Sequence, residues 1–348
     1  MTDKIRIVHV GLGAWGGNWA THVLPGHPDI ETVAYVDMAE AKRVQMAARL
    51  NEPIEKFHPM LEDALAAVTA DAVIVALPIT LHAPIARQAL EAGKHVIVEK
   101  PFAETMGEAR ELIATAAARD LVLMVSQNYR FYPAAQMVAD LSRRGYFGRV
   151  IGGKIDFRRN AFAERSGNIN VPNPLLADMA VHHYDLMRMV IGEDPVDVTA
   201  RSWNPPGSPY RMDPAAAMVF AFPGGATISY RGSWVDPGPQ TAWAGEWQLD
   251  FERASILWTA RGDQPWQTKR DRVQIRRANA EIEEVALPPM PLHDRAGVLA
   301  ALAQRLRTGV EPPFFPSGRA NLGTLATIEA ALRSAAQGGS SIPLEGIL

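Results

Sequence analysis

Through the first third of the chain, short runs of β-branched and apolar residues alternate with alanine-rich stretches whose apolar positions recur every three or four residues. The runs at 5–10, 32–37, 72–77, 95–99 and 121–126 are nearly continuous in apolar side chains, as strands covered on both faces must be. Between them, the segments 39–50, 61–68, 84–92 and 106–119 predict helices, and Thr105 with Glu108 places a capping box at the start of the last. Strand and helix in alternation make βαβ units, so residues 1–128 read as an α/β domain with a parallel sheet.

Beyond residue 128 the pattern changes. A helix at 134–144 leads into strands of alternating polarity at 150–157, 196–203, 216–222, 227–234, 246–251 and 273–277, with turns such as Pro223-Gly224-Gly225 between neighbours. Further helices are expected at 175–191, 294–307 and 318–336. This half is therefore α+β with a mainly antiparallel sheet, beginning near residue 129.

Composition narrows the function. The 348 residues, 47% hydrophobic and 21% charged, suit two globular domains rather than a disordered chain. With 35 Lys and Arg against 38 Asp and Glu, the net charge of -3 creates no field for nucleic acid or anionic lipid. Cysteine is absent, which excludes disulfides, thiolate nucleophiles, iron-sulfur clusters and cysteine-ligated zinc. No apolar run approaches the roughly 18 residues of a spanning helix, and no basic, cleavable leader opens the chain, so a cytoplasmic location without membrane partners is expected.

Gly11-Leu12-Gly13-Ala14-Trp15-Gly16 follows the first strand and opens a helical segment, the context in which G-x-G-x-x-G holds a pyrophosphate. Asp37 ends the second strand about 20 residues on, where its carboxylate can accept both ribose hydroxyls and repel a 2′-phosphate. NAD is favoured; Lys42 and Arg43 keep NADP open as the less favoured cofactor. Leu77, Pro78 and His82 follow the third strand, at the sheet edge where ligands bind, and join the cofactor set. Lys100, in Glu99-Lys100-Pro101, is delivered to the same edge, although position alone equally suits a solvated strand end.

In the helix at 175–191, Asp178, His182 and Asp185 fall on one stripe, while His183 falls on the apolar face and reads as a hydrogen-bonded core residue. His182 and His183 point about 100° apart, so one ion can hardly use both and no metal is expected. For substrate, Arg130, Arg158, Arg159, Asn160, Trp234 and Trp243 are candidates beside Asp178 and His182, because polar donors and aromatic faces suit hydroxyl-rich rings.

In order, Gly11-x-Gly13-x-x-Gly16, Asp37, Glu99-Lys100-Pro101, Asn128-Tyr129-Arg130 and Asp178-x-x-x-His182-x-x-Asp185 resemble the glucose-fructose oxidoreductase, inositol 2-dehydrogenase and rhizopine-catabolism (Gfo/Idh/MocA) family. The resemblance implies a Rossmann domain (1–128) and a substrate-binding, oligomerising α+β domain with an open sheet (129–316). It further implies a closing helix and tail (317–348, including 329–334) that return to the Rossmann domain. Carried over, Lys100 is the active-site lysine, His182 the acid/base and Asp178 its partner, with Glu99 and Asn128 beside the nicotinamide and its ribose. The implied reaction is NAD-dependent oxidation of a secondary hydroxyl of a sugar, anhydrosugar or inositol-like polyol, with hydride passing to nicotinamide C4. A homodimer or homotetramer through the open sheet is implied as well. Rival readings are a redox-neutral, NAD-dependent glycosidase-type enzyme, a dehydrogenase for amino-substituted sugars, and a nucleotide-sensing regulator without catalysis.

Overall fold

The computed structural model describes residues 4–160, 169, 171–262 and 270–348. They form two compact units, one holding the chain up to Gln127 together with Arg295–Leu322, the other Asn128–Asp294 with Gly323–Leu348.

In the first unit six parallel strands lie in the order β3-β2-β1-β4-β5-β6, with β1 Ile5–Val10, β2 Ile30–Val36, β3 Phe57–His58, β4 Ala72–Val75, β5 His95–Val98 and β6 Leu123–Val125. This is the doubly wound order of a dinucleotide-binding sheet, whose direction of winding reverses between β1 and β4. The strands β1, β4 and β5 are buried almost throughout, which is why they read as apolar runs. Its helices are α1 (Ala14–Asn18, widening into a π turn over Trp19–Val23), α2 (Glu40–Leu50), α3 (Leu61–Ala67), α4 (His82–Glu91) and α5 (Met106–Ala118). The capping box at Thr105 and Glu108 is formed.

The second unit opens with α6 (Pro133–Arg143) and carries a nine-stranded sheet in the order β14-β13-β12-β11-β7-β10-β9-β8-β15. Its strands are β7 Val150–Arg158, β8 Asp197–Trp203, β9 Ala215–Ala221, β10 Thr227–Ser233, β11 Glu246–Phe251, β12 Ser255–Thr259, β13 Arg272–Arg276, β14 Glu283–Glu284 and β15 Ile342–Pro343. Every pairing is antiparallel except β7 with β10. The register sets Val198, Phe220, Ile228, Leu249, Ile256 and Ile275 in one row across the sheet, all buried. On the other face Lys154, Val219, Ser229 and Arg231 are exposed.

Three expectations need correction. The helix foreseen at 175–191 is two pieces, a π turn over Pro174–Met179 entered from left-handed Asn173 (φ +45°) and then α7 (Ala180–Ile191). The helix α8 (Asp294–Thr308) belongs from Arg295 onward to the first unit, where Arg307 pairs with Asp29 at 2.6 Å and His27 meets the Ala296 carbonyl at 3.1 Å. In α9 (Gly318–Ala336) only Gly318–Leu322 lies in the first unit; the rest, with the tail, joins the second, where β15 pairs with β8. No helix among the described residues is long and apolar enough to cross a membrane.

Candidate active site and nucleotide cradle

At the switch point of the first sheet, the loops after β1 and β4 meet. Gly11 has φ +105°, and a Cβ on it would stand 2.3 Å from the Ala76 carbonyl oxygen; one on Gly16 would stand 2.1 Å from the Gly11 oxygen. Both glycines are demanded by packing. Gly13 is different: its φ is -65°, and a Cβ there would find nothing nearer than the Lys42 Nζ at 4.0 Å. Space is thus left open over Gly13, with Ala14 and Trp15 exposed beside it and no side chain capping the start of α1. These are the features a pyrophosphate needs, since glycine admits a close anion and helix-start N–H groups face it.

Asp37 is anchored beside this lip. Its Oδ2 accepts from Leu12 N and its Oδ1 from Ala39 N, each at 2.9 Å, and Lys42 Nζ lies 3.6 Å from Oδ2. A carboxylate has about four acceptor positions, so capacity remains for ribose hydroxyls. Arg43 instead donates to the Asp37 and Met38 carbonyls, at 2.7 and 2.9 Å. Below the loop, buried His9 places Nε2 2.9 Å from the Gly16 carbonyl; desolvation holds its pKa down at about 4, so the neutral ring donates. Arg295 lies 4.4 Å over the Trp15 ring and donates to Asn18 Oδ1 at 2.5 Å.

Of the other expected cofactor contacts, His82 and Glu99 are enclosed in the scaffold. The ring of His82, 1% exposed, sits 2.8 Å from both the Leu77 and the Pro101 carbonyl oxygens, so it joins two loops and offers a ligand neither nitrogen. Leu77 is half-buried and Pro78 exposed on the same loop. Buried Glu99 accepts from Trp19 Nε1 at 2.8 Å and from the Lys100 main-chain N–H at 3.1 Å. This fixes the strand end that carries the half-buried Lys100, whose bond to Pro101 is cis.

In the second unit Asn128 is buried and its amide donates to Asp294. Next to it Tyr129 stacks flat on His182, ring centroids 4.0 Å apart and planes 4° from parallel. Asp178 lies half-exposed in the π turn, four residues before His182. Asp185, three residues after His182, is buried, held by Arg130 at 2.6 and 2.7 Å and by the Thr324 hydroxyl at 3.1 Å. His183 is a core residue, 2.9 Å from the Tyr230 hydroxyl and 3.1 Å from the Trp243 carbonyl, with its pKa depressed to about 4 by desolvation.

The substrate candidates differ in how far the second unit encloses them. Arg130 is enclosed in the Asp185 ion pair. Arg158 pairs with Asp156 and Glu246 at 2.9 and 2.8 Å, two strand residues of the sheet's exposed face. Trp234, 1% exposed, packs edge-on against Phe157. Asn160 is exposed and lines a cavity of about 180 Å³ with the 205–209 loop. Arg159 remains near the site, its guanidinium 4.3 Å over half-buried Trp243. Sequence reasoning passed over Arg261, 7% exposed, which donates to the Tyr129 hydroxyl at 2.8 Å and lies 5.1 Å over Trp243. Nothing local marks it; His9, a polar residue inside an apolar strand, carried a readable signal.

Residues 5–127 match the model of an oxidoreductase family with an NAD-binding Rossmann fold, and residues 135–257 match the GFO/IDH/MocA C-terminal domain. The chain belongs to this family of NAD-binding oxidoreductases. It is 28% identical to a D-apiose dehydrogenase of Paraburkholderia graminis over 88% of this chain and 82% of that one. A levoglucosan dehydrogenase of Pseudarthrobacter phenanthrenivorans is 33% identical over 38% of this chain and 36% of that one. In fold, the chain superposes on an inositol dehydrogenase homolog from Azotobacter vinelandii, crystallised with NAD+, with a TM-score of 0.83 at 18% identity over 99% and 98% of the two chains.

Proposed function

We propose that the protein oxidises a secondary hydroxyl of a neutral sugar, anhydrosugar or inositol-like polyol, with NAD+ preferred to NADP+. The observation that carries the cofactor half is the open position over Gly13 beside an Asp37 carboxylate already anchored by the loop. Arg43, the cation best able to hold a 2′-phosphate, is committed to main-chain carbonyls, which supports NAD+. The sugar half is supported by relatives named as D-apiose and levoglucosan dehydrogenases.

Bound in the cradle, NAD+ supplies a hydride acceptor at nicotinamide C4. His182 takes the hydroxyl proton: an imidazole has an intrinsic pKa of about 6.5, close to working pH, and the stack on Tyr129 supports a ring held in one plane. The Lys100 ammonium donates to the reacting oxygen and stabilises its developing negative charge. A cation there also favours the neutral, proton-accepting imidazole. Asp178 orients His182 from the preceding turn. Glu99 acts through the main chain by fixing Lys100, and Asn128 orders the turn that carries Tyr129. The enzyme works in the cytoplasm as a homodimer or homotetramer formed through the exposed face of the second sheet, where Val219 stands out among polar neighbours.

A panel of sugars, anhydrosugars and inositols, scored for NADH and NADPH absorbance, tests this reading. It predicts saturable reduction of NAD+ by at least one neutral polyol and weaker use of NADP+; retained cofactor with no net reduction across the panel contradicts it.

A further inference from the structure

Four side chains of the second unit lie in a continuous series: His182 stacked on Tyr129, the Tyr129 hydroxyl accepting from Arg261, and Arg261 in turn over the Trp243 ring. The Arg261 guanidinium carbon is 4.8 Å from the Tyr129 centroid, and that centroid is 4.0 Å from His182's, so charge and imidazole lie within about 9 Å of each other. The first three are buried, His182 and Arg261 each 7% exposed and Tyr129 4%, and Trp243 is half-buried. In such surroundings a charge acts with far less screening than in water.

We propose that Tyr129 and Arg261 are positioning residues for the reaction, Tyr129 fixing the plane of His182 and Arg261 holding the imidazole in its proton-accepting form. The proposal rests on the reading of His182 as the base. A protonated imidazole stacked on a tyrosine face is a cation–π pair, which by itself favours the charged ring. Arg261 opposes that twice, by repulsion and by drawing electron density from the phenol through its hydrogen bond. Other charged groups on the elements that carry this series are Asp178 on the turn before His182, Asp185 paired with Arg130, Asp294, which accepts from Asn128 beside Tyr129, and Asp271, which accepts from the Arg261 main-chain N–H at 3.1 Å. Arg159 adds a second cation over Trp243, and in the proposed mechanism Lys100 adds another. Loss of Arg261 therefore leaves a more easily protonated base.

The test is the pH dependence of kcat/KM in wild type, Arg261→Gln and Arg261→Lys, read alongside an NMR titration of the His182 imidazole, whose signal is assigned by its absence in His182→Ala. Arg261→Gln is expected to move both the acidic limb and the NMR midpoint up by about one pH unit, and Arg261→Lys to leave them near wild type. Tyr129→Phe, which fills the same space but releases the guanidinium, is expected to move them in the same direction by less, and it stands in if Arg261→Gln does not fold. Midpoints that coincide in Arg261→Gln, or in Tyr129→Phe where that variant stands in, overturn the proposal. If His182→Ala keeps the acidic limb, the reading of His182 as base fails separately, while the NMR midpoint still reports what Arg261 does.

Discussion

A side chain added at Gly16 would strike the Gly11 carbonyl, whereas one added at Gly13 would meet open space. Substitution at these two positions should therefore separate folding from binding. Gly13→Ala is expected to keep the wild-type melting temperature while weakening NAD+ about tenfold, since its methyl group occupies the ground of the pyrophosphate. Gly16→Ala is expected to lower stability as well. Calorimetric titration and thermal melts check both; undiminished NAD+ affinity in Gly13→Ala would misplace the cradle. The glycines and Asp37 were legible because each answers to a backbone need at a fixed distance from a strand. Arg130 and Trp234 were not: whether a guanidinium meets substrate or an internal carboxylate depends on residues 55 or more positions away.

Elements were legible wherever an apolar period ran long enough. The strands β1, β4 and β5 and the helices α2, α5 and α9 lie within a residue or two of expectation. The two-residue strands β3 and β15 left no pattern to read, and the π turn at Pro174–Met179 is a matter of local winding that helical periodicity cannot register. Asp185 is held in the core by Arg130. The Arg130–Asp185 bond ties the turn Asn128–Phe131 to α7, and it is buried at both ends. Arg130→Leu should cost about 3–5 kcal/mol of stability by leaving a buried carboxylate unpaired. Chemical denaturation measures this; an unaltered midpoint with a raised KM for substrate would return Arg130 to the substrate set.

For the whole molecule, burial makes several histidines sensors of acid. Desolvation lowers His9 and His183 to about 4 and depresses His27 and His95 too, whereas in the unfolded chain they protonate near 6.5. The unfolded state thus binds more protons as pH falls from 6.5 towards 4, and stability is lost across that window. Asp271, raised to about 6 by burial, acts in the opposite sense: its contribution is full below about 4 and disappears as pH rises through 6. Four imidazoles outweigh one carboxyl, so the melting temperature should fall between pH 6.5 and 4.5. A melting temperature that rises on acidification would contradict this balance.

Membership in an NAD-binding oxidoreductase family is shared by proteins of many substrates, and the assignment of chemistry here stands on two side chains. The decisive measurement is steady-state turnover of Lys100→Ala and His182→Ala on the best substrate of the polyol panel, with NAD+ affinity determined in parallel. Each variant is expected to bind NAD+ as wild type does and to turn over about a hundredfold or more slowly. Turnover near wild type in both, with cofactor affinity intact, would contradict the assignment.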